Sequence, residues 1–379
     1  MFSKIIKTVS RTGLVGPDRE TPCGGAHEGE TSPSCFNGAQ LLVKALENEG
    51  VEYVFGLPGE EIRDVMVALK NSPIQLVITR HEQGAAFMAD VYGRLTGKAG
   101  VCLATLGPGA TNLLTGVADA HLDHSPLVAI TGQGSLDRLY KESHQVINVV
   151  RMFFPVTKWT DRITNPRNIP EMVRKAFKLA EMEKPGATHI EFSENIAAML
   201  VEELPALKKI TVRRSIPEPE TIRRAAELIR QAKKPLILTG NGAIRTNSSH
   251  ILRQWVAQTN IPVVSTFMGK GAVSDREPES LLSVGLGAHP GIVEVLKAAD
   301  LVIAVGYDIA EYGPEKWNAD KHLKIIHIDF AQAEVYEQYI PEVELVGDIS
   351  DTLEQLSRQV TAPVDFPEAR AYRKKIEAR

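Results

Sequence analysis

The chain has 379 residues, of which 43% are hydrophobic and 24% are charged, and its formal net charge is −4. This length exceeds what one ordinary hydrophobic core uses, so two domains are expected. The weakly acidic balance gives no indication of nucleic-acid binding, and no apolar run reaches the ~18 residues that a membrane span needs. Three cysteines are too few for a disulfide framework, and they favour the reducing cytosol or an organelle interior; a cytoplasmic location is predicted.

Residues 1–36 differ in composition from the rest of the chain. They begin basic and weakly amphipathic, and they continue rich in Gly, Pro, Ser, Thr and acidic residues. The acidic residues argue against a transit peptide, which is poor in acid. Because such a composition cannot bury a core, we predict a disordered leader in which Cys23 and Cys35 are incidental thiols.

From Asn37 the chain alternates between helical and strand patterns. Asn37 is predicted to cap a helix that stops at Gly50. Short hydrophobic runs predict strands, with helical segments between them; the strands are expected at 51–55, 74–79, 100–106, 126–132 and 189–192, and helices at 60–70, from 82 onward and at 109–122. This alternation predicts an α/β fold, with a parallel sheet covered by helices on both faces in three layers.

Unusual residues collect where these strands end. "GLPGE" follows the first strand, "RHEQG" the second, "LGPGATN" the third and "TGQG" the fourth. Glycine and proline are common in tight turns, so one such loop would be a weak signal. In a parallel sheet, however, ligands bind at the carboxyl ends of the strands. Four such loops along one edge predict a site there.

Glu82, in "RHEQG", has two interpretations. A carboxylate in the first turn of a helix ordinarily stabilises the exposed N–H groups and the helix dipole. Alternatively, the small apolar residues that follow, "GAAFMA", would line a dry pocket around a functional carboxylate. The "LGPGATN" loop is unlike a phosphate-binding loop, because no Lys follows the glycines and Pro108 lacks an N–H. A rigid apolar turn against a flat ring fits it better.

The segments "GLPGE", "RHEQGAAFMADVYGRLTGKAGVCLATLGPGATN" and "PLVAITGQ" resemble the pyrimidine-binding domain of thiamine-diphosphate enzymes of the acetolactate synthase group. The resemblance extends from about Gln40 to about Leu356. It implies that Glu82 is catalytic and hydrogen-bonds N1′ of the cofactor's aminopyrimidine, which promotes removal of the thiazolium C2 proton. It also implies cofactor contacts from the loops, at positions carried by Pro58, Gly59, Pro108 and Asn112.

The resemblance places a second catalytic residue, Gln145, in "YKESHQVINVV", where its amide would contact cofactor or substrate. The alternative is a polar residue on an exposed helix. His144 precedes it, where the flavin-containing enzymes usually carry phenylalanine. His121 and His124 are three residues apart but have no third ligand nearby, so no metal site is predicted.

A second α/β domain is expected after a linker rich in proline and charge. The runs "PLILTGNGA", "PVVSTF", "LVIAVGY" and "KIIHID" predict four parallel strands, and the domain resembles the Rossmann-like middle domain of the same enzymes. The predicted boundaries are a leader at 1–36, a pyrimidine-binding domain at 37–195, a linker at 196–217, a Rossmann-like central domain at 218–358 and the start of a further linker at 359–379. "VGYDIAEYGPEKWN" stands where the flavin enzymes carry an arginine-rich turn, and with "ESHQ" it resembles the catabolic, flavin-independent acetolactate synthases. FAD is therefore not expected, although "HIDFAQAEV" keeps a residual similarity to the flavin enzymes.

Enzymes of this family hold Mg²⁺ and the diphosphate through a further domain with a G-D-G motif, and no G-D-G occurs in this sequence. The resemblance therefore implies that this chain lacks the diphosphate-binding domain and is inactive alone. The complete enzyme is expected to convert two pyruvates into 2-acetolactate and CO₂, as a homodimer or homotetramer whose active site is shared between subunits. The alternatives are another carboligase or 2-oxoacid decarboxylase of the superfamily, or a non-catalytic, dimerising remnant. Glyoxylate carboligase is disfavoured because that family lacks the glutamate at the position of Glu82.

Overall fold

The computed structural model describes residues 35–209, 214–285 and 291–378. These residues form two compact units: the first contains residues 35–181 and 185–209, and the second contains 182–184 and the described residues from 214 onward. Each unit is built on a six-stranded, all-parallel sheet. The predicted fold class is therefore confirmed. Of the predicted leader, only residues 35 and 36 are described.

The two described cysteines differ in state. Cys35 is disulfide-bonded, so the prediction that it is an incidental thiol is wrong. Two thiols must meet in space to pair, and their spacing along a chain does not show this. Cys102 is a free thiol at the centre of the first sheet, where complete burial raises its pKa.

The first unit follows the predicted alternation of strands and helices. Its strands are β1 (Cys35–Asn37), β2 (Tyr53–Gly56), β3 (Gln75–Ile78), β4 (Gly100–Ala104), β5 (Leu127–Gln133), β6 (Trp159–Ile163), β7 (Ala187–Ser193) and β8 (Leu200–Glu202). Its helices are α1 (Gly38–Glu49), α2 (Arg63–Lys70), α3 (Glu82–Thr96), α4 (Pro108–Leu122), α5 (Val149–Phe153), α6 (Ile169–Glu181) and α7 (Glu194–Ala198). Asn37 and Gly50 cap the two ends of α1, as predicted.

The order of strands in the first sheet is β3-β2-β4-β5-β7-β6, and β1 pairs separately with β8. The chain runs outward from β2 to β3 and then returns to β4 on the other side. This reversal makes the carboxyl ends of β2 and β4 a topological switch point, where α/β sheets form their ligand crevices. The edge strand β6, with the polar sequence "WTDRI", was not predicted from the sequence.

Helices cover both faces of this sheet. Along β4, Val101 and Leu103 pack into a cluster with α1, α2, α6 and α7. Cys102 and Ala104 face a second cluster, formed with α3, α4 and α5. The second cluster is rich in alanine, which lets α3 and α4 approach closely: a Cβ at Gly116 of α4 would lie 2.7 Å from Ala86 Cβ of α3. This close packing brings the first turns of α3 and α4 together.

The second unit has the strand order β11-β10-β9-β12-β13-β14. Its strands are β9 (Pro235–Thr239), β10 (Val263–Ser265), β11 (Ser280–Ser283), β12 (Leu301–Val305), β13 (Lys324–Asp329) and β14 (Val343–Val346). Its helices are α8 (Pro219–Gln231), α9 (Asn241–Arg245), α10 (Ser249–Thr259), α11 (Gly291–Ala298), α12 (Ile349–Gln359) and α13 (Pro367–Glu377). The switch point lies between β9 and β12. The four predicted strands are present, and β11 and β14 add an edge on each side. Within the described residues, no helix is long and apolar enough to cross a membrane.

A polar face is buried inside the first sheet, on the side of α5. His189 of β7 is fully buried between two hydroxyls, with Nε2 2.8 Å from Thr131 Oγ1 and Nδ1 2.7 Å from Thr160 Oγ1. Its ring stacks on Phe153, with the ring centroids 4.1 Å apart. A neutral imidazole has one donor and one acceptor, and two hydroxyls satisfy both. Burial lowers the pKa of His189 to about 3.

This depressed pKa predicts a loss of stability in acid. The unfolded chain binds a proton at His189 near the ordinary pKa of 6.5, whereas the folded chain does so only near 3, so the contribution is present above about pH 6.5 and is lost as pH falls toward 3. Between about pH 7.5 and about pH 5, His189 should lower the free energy of unfolding by about 2 kcal/mol. Urea unfolding of the wild type and of His189→Gln, whose side chain does not titrate, measures the contribution of His189 to the pH dependence of the free energy of unfolding. Equal pH slopes in the two proteins would contradict the prediction.

Candidate active site

The crevice at the switch point of the first sheet is bounded by the loops after β2 and β4. Thr105, the first residue after β4, lies where they meet. Its Oγ1 donates to Glu61 Oε2 at 2.8 Å, and a Cβ at Gly59 would collide with its side chain. The "GLPGE" loop thus packs directly on the end of β4. A larger residue than glycine at position 59 would separate the two loops.

Glu82 is the first residue of α3, and it does not cap the helix. His81 is the cap, since its Nδ1 accepts the N–H of Gln83 at 3.1 Å. The side chain of Glu82 is instead buried, with 7% of the residue exposed. Asn112 Nδ2, from the second turn of α4, donates to Glu82 Oε2 at 3.0 Å, and no other described residue donates to this carboxylate. The capping interpretation of Glu82 therefore does not describe its contacts.

The second oxygen of Glu82 points toward the "LGPGATN" loop. A Cβ at Gly109 would lie 3.5 Å from Glu82 Oε1 and 2.9 Å from Thr105 Cγ2. Gly109 thus keeps a small space open beside Oε1, between the carboxylate and the end of β4. Asn112 meanwhile fixes the orientation of Oε2. The carboxylate is held in one direction and has one oxygen free for a ligand.

Gln145 lies beside the same loop, in a turn rather than on a helix. It is exposed and has the left-handed φ of 57°, which is uncommon for a residue with a side chain. Gly107 has φ 52°, and a Cβ there would lie 2.6 Å from Gln145 O and 2.9 Å from Gln145 Cβ. The backbone of Gln145 therefore rests directly on Gly107.

The structure brings most of the predicted site residues to one edge of the sheet. Thr105 contacts Gly59 and Gly109, and Gly109 lies beside Glu82, which binds Asn112. Gln145 contacts Gly107 of the same loop. Pro58 and Pro108 are exposed on the two flanking loops, and Pro108 begins α4.

Two further polar residues near the crevice, Thr105 and Gln133, were not predicted from the sequence. Their signal was a polar residue at the carboxyl end of a fully buried strand, in "LATLG" and "ITGQG".

Comparison with known families identifies two matching regions. Residues 36–152 match the thiamine pyrophosphate enzyme N-terminal TPP binding domain, and residues 222–356 match the central domain of the same enzymes. Together these ranges span well over half of the chain. The chain belongs to the thiamine pyrophosphate enzyme family. The predicted resemblance is confirmed at this level.

Several curated relatives carry the name acetolactate synthase. The probable acetolactate synthase large subunit of Methanococcus aeolicus is 37% identical over 333 residues, which are 86% of this chain and 55% of that protein. The acetolactate synthase of Bacillus subtilis (strain 168) is 36% identical over 87% of this chain and 58% of its own length. The catabolic acetolactate synthase of Raoultella terrigena is 36% identical over 86% of this chain and 58% of its own. The chain spans about half the length of the curated relatives it matches.

The residues at the crevice fit the pyrimidine end of thiamine diphosphate. A buried carboxylate with one free oxygen matches a ring nitrogen that shares a proton, and the glycine beside it leaves room for a flat ring. Mg²⁺ is different. Among the described residues, no group of three or more His, Cys, Asp or Glu side chains is arranged to hold a metal ion. His121 and His124 accordingly belong to no such group.

The close contact between Gly107 and Gln145 predicts the cost of a side chain at position 107. Gly107→Ala should lower the free energy of unfolding of the first unit by about 2–4 kcal/mol, because the new Cβ adds a clash with Gln145 to the penalty of a positive φ.

Gly97→Ala is the control for the positive φ alone, since Gly97 has ψ 5° whereas Gly107 has ψ −116°, a conformation that adds a backbone penalty of its own. Gly97 also has a positive φ, of 69°, but a Cβ there meets nothing within 4 Å, so its cost should be about 1 kcal/mol. Chemical denaturation of both variants measures the difference. Equal losses would mean that residue 145 does not rest on Gly107.

Proposed function

We propose that this chain is the pyrimidine-binding and central part of an acetolactate synthase. The complete enzyme would use thiamine diphosphate and Mg²⁺ to decarboxylate pyruvate and join the two remaining carbons to a second pyruvate, giving 2-acetolactate and CO₂. The observation that carries this proposal is the buried carboxylate of Glu82 at the switch point, oriented by Asn112. The names of the relatives supply the choice of reaction within the family.

The environment of Glu82 favours catalysis over a structural remnant. Buried carboxylates in proteins are usually paired or hydrogen-bonded through both oxygens, whereas the carboxylate of Glu82 has a single described donor, Asn112. A remnant that only dimerises would gain nothing from this arrangement. A cofactor ring nitrogen at Oε1 would complete the hydrogen bonding of the carboxylate.

The chain's own residues are proposed to position a proton at the cofactor's pyrimidine ring. When bound, thiamine diphosphate supplies an acidic thiazolium carbon that adds to 2-oxoacids. Glu82 would hold a proton at Oε1 against the pyrimidine ring nitrogen, and Asn112 would keep Oε2 turned away from that ring. The "GLPGE" and "LGPGATN" loops would exclude water from one wall of the crevice. The exposed Gln145 would contact cofactor or substrate beside Gly107.

The remaining wall and the metal ligands are proposed to lie outside these 379 residues, in the part of the relatives that this chain does not match. We propose a homodimer or homotetramer in which another subunit supplies that wall. In support, α3 exposes Met88, Val91 and Leu95 at helical spacing, with 47%, 49% and 81% of each residue accessible. A row of exposed apolar side chains on one helix face is typical of a protein interface. The cytoplasmic location stays a prediction.

We propose further that the second unit's crevice does not bind FAD. In a sheet of this strand order, a dinucleotide's pyrophosphate lies at the switch point between β9 and β12. Here the side chain of Glu311 lies there, accepting the N–H of Asn241 at Oε1 and of Met268 at Oε2, each at 3.2 Å. A Cβ at Gly240 would lie 2.5 Å from Gly306 O, so the backbone leaves no space between these turns. A carboxyl group in this position competes with a phosphate for the same N–H groups.

Replacing Glu82 tests the proposed function. In protein that also carries the diphosphate-binding domain, Glu82→Gln should lower acetolactate turnover by about two to four orders of magnitude, because the variant cannot exchange a proton with the cofactor. The loss should appear without unfolding, as checked by circular dichroism. Glu52→Gln, an exposed carboxylate at the amino end of β2, is the control and should keep turnover within about twofold. Near-normal turnover of Glu82→Gln would refute the assignment.

The structure of the second crevice predicts that the protein binds no flavin. Purified protein should be colourless, and the supernatant after denaturation should lack flavin absorbance and fluorescence, because Glu311 and the close turns leave no phosphate site. A known flavoprotein denatured in parallel checks the recovery. Release of about one flavin per chain would overturn this prediction.

A further inference from the structure

The position of Gln145 depends on the loop that carries it, residues 143–148, which we call the Gln145 loop. This loop has no regular secondary structure between the short helix at Leu136–Arg138 and α5. Yet its backbone touches Gly107 closely, and Gln145 has the uncommon φ of 57°. A residue in such a conformation persists only where its surroundings hold it. The neighbouring contacts identify two anchors.

The first anchor is Gln133, the last residue of β5. Its Nε2 donates to Ile147 O at 2.9 Å and to Glu191 Oε2 at 3.1 Å, and its Oε1 accepts the N–H of Gly134 at 3.0 Å. The residue is fully buried. Both amide protons and one oxygen lone pair are therefore used inside the protein, and one of the protons holds the Gln145 loop.

Glu191 determines which way the Gln133 amide points. Glu191 lies on the neighbouring strand β7, is fully buried and forms an ion pair with Arg162 of β6. A carboxylate paired in this way accepts hydrogen bonds and donates none. If the amide of Gln133 turned over, its oxygen would face both Glu191 Oε2 and Ile147 O. The charge of Glu191 thus keeps Nε2 directed at the loop.

The second anchor holds the other end of the loop. Arg138 Nε donates to Ser143 Oγ at 2.9 Å, and Arg138 Nη1 donates to Glu194 Oε1 at 3.0 Å. Glu194 begins α7, directly after β7. Both anchors therefore lead back to carboxylates at the end of β7, one buried and one partly exposed.

We propose that Gln133 is a positioning residue, which holds Ile147 so that Gln145 rests against Gly107 at the cofactor crevice. Gln133 touches no reacting atom in this role and acts through Gln145. The proposal rests on the proposed function for the part that Gln145 plays in the reaction. The claim that Gln133 holds the loop stands independently, because it concerns only the folded chain.

Hydrogen exchange in the 379-residue chain tests whether Gln133 restrains the Gln145 loop. Gln133→Met keeps the volume of the side chain and removes both donated hydrogen bonds, so amides of residues 143–149 should exchange about tenfold faster. Thr131→Val is the matched control: it lies two residues earlier on β5, is equally buried and contacts His189 instead of the loop. It should leave the exchange of residues 143–149 unchanged. Equal acceleration in both variants, or in neither, would overturn the proposal.

Gln133→Asn serves if Gln133→Met does not fold. Asparagine keeps the amide but is one methylene shorter, so its donor no longer reaches Ile147 O. The same local acceleration is expected. If the amides of residues 143–149 exchange at the wild-type rate in folded Gln133→Asn, Gln133 does not restrain the Gln145 loop.

A double-mutant cycle on the complete enzyme tests the action through Gln145. Gln133→Met should lower kcat for acetolactate formation about tenfold in the wild-type background, but less than about twofold in the Gln145→Ala background, because the residue that it positions is then absent. Equal losses in both backgrounds would assign Gln133 a role separate from Gln145 and overturn the proposal. If the wild-type enzyme forms no acetolactate, the proposed function fails, while the exchange experiment still decides whether Gln133 holds the loop.

Discussion

Burial of the first parallel sheet on both faces is the constraint on which the rest of this unit depends. Helices cover both sides of β4, so its side chains pack in two clusters and leave no face for a ligand. Only the strand ends remain accessible. The reversal of strand order between β2 and β4 separates two helices at one of these ends, and the crevice forms there. Glu82 begins the helix after β3, and Asn112 lies in the helix after β4, so both are carried to the crevice by the same topology.

The same sheet contains an unusually polar interior on the side of α5. His189 and Glu191 are fully buried, and each would destabilise the fold by a few kcal/mol if it lacked partners. Hydroxyls satisfy His189, while Arg162 and Gln133 satisfy Glu191. These contacts continue along β7 toward its carboxyl end. The polar interior therefore connects the core to the loop beside the crevice, which an apolar core could not do by hydrogen bonds.

Much of the fold could be predicted from the sequence, and the exceptions share a cause. Most of the central strands are continuous hydrophobic runs, because helices bury them on both sides, and all of the central strands were predicted. The polar exception is β7, which carries the buried His189 and Glu191. Five strands were missed: β6, β11 and β14 are edge strands of the two six-stranded sheets, and the three-residue strands β1 and β8 form a separate two-stranded sheet. An edge strand is less completely buried and includes polar residues, as in "WTDRI" of β6, so its sequence resembles a loop. The disulfide of Cys35 was missed because pairing depends on distance in space.

The residues of the candidate site also differ in how far the sequence predicts them. Glu82 could be predicted, because it stands at a helix start inside a long family motif, and the structure adds that His81 does the capping and leaves the carboxylate free for Asn112. Gln145 could be predicted only through the resemblance. Its position depends on Gln133, Glu191 and Arg138, which are distant from it in sequence or belong to no motif. A residue on a regular element inherits its place from the fold, whereas a residue on an irregular loop needs contacts that the local sequence does not reveal. The two proposed catalytic residues therefore differ in what holds them, and a change in the buried polar face should reach Gln145 without moving Glu82.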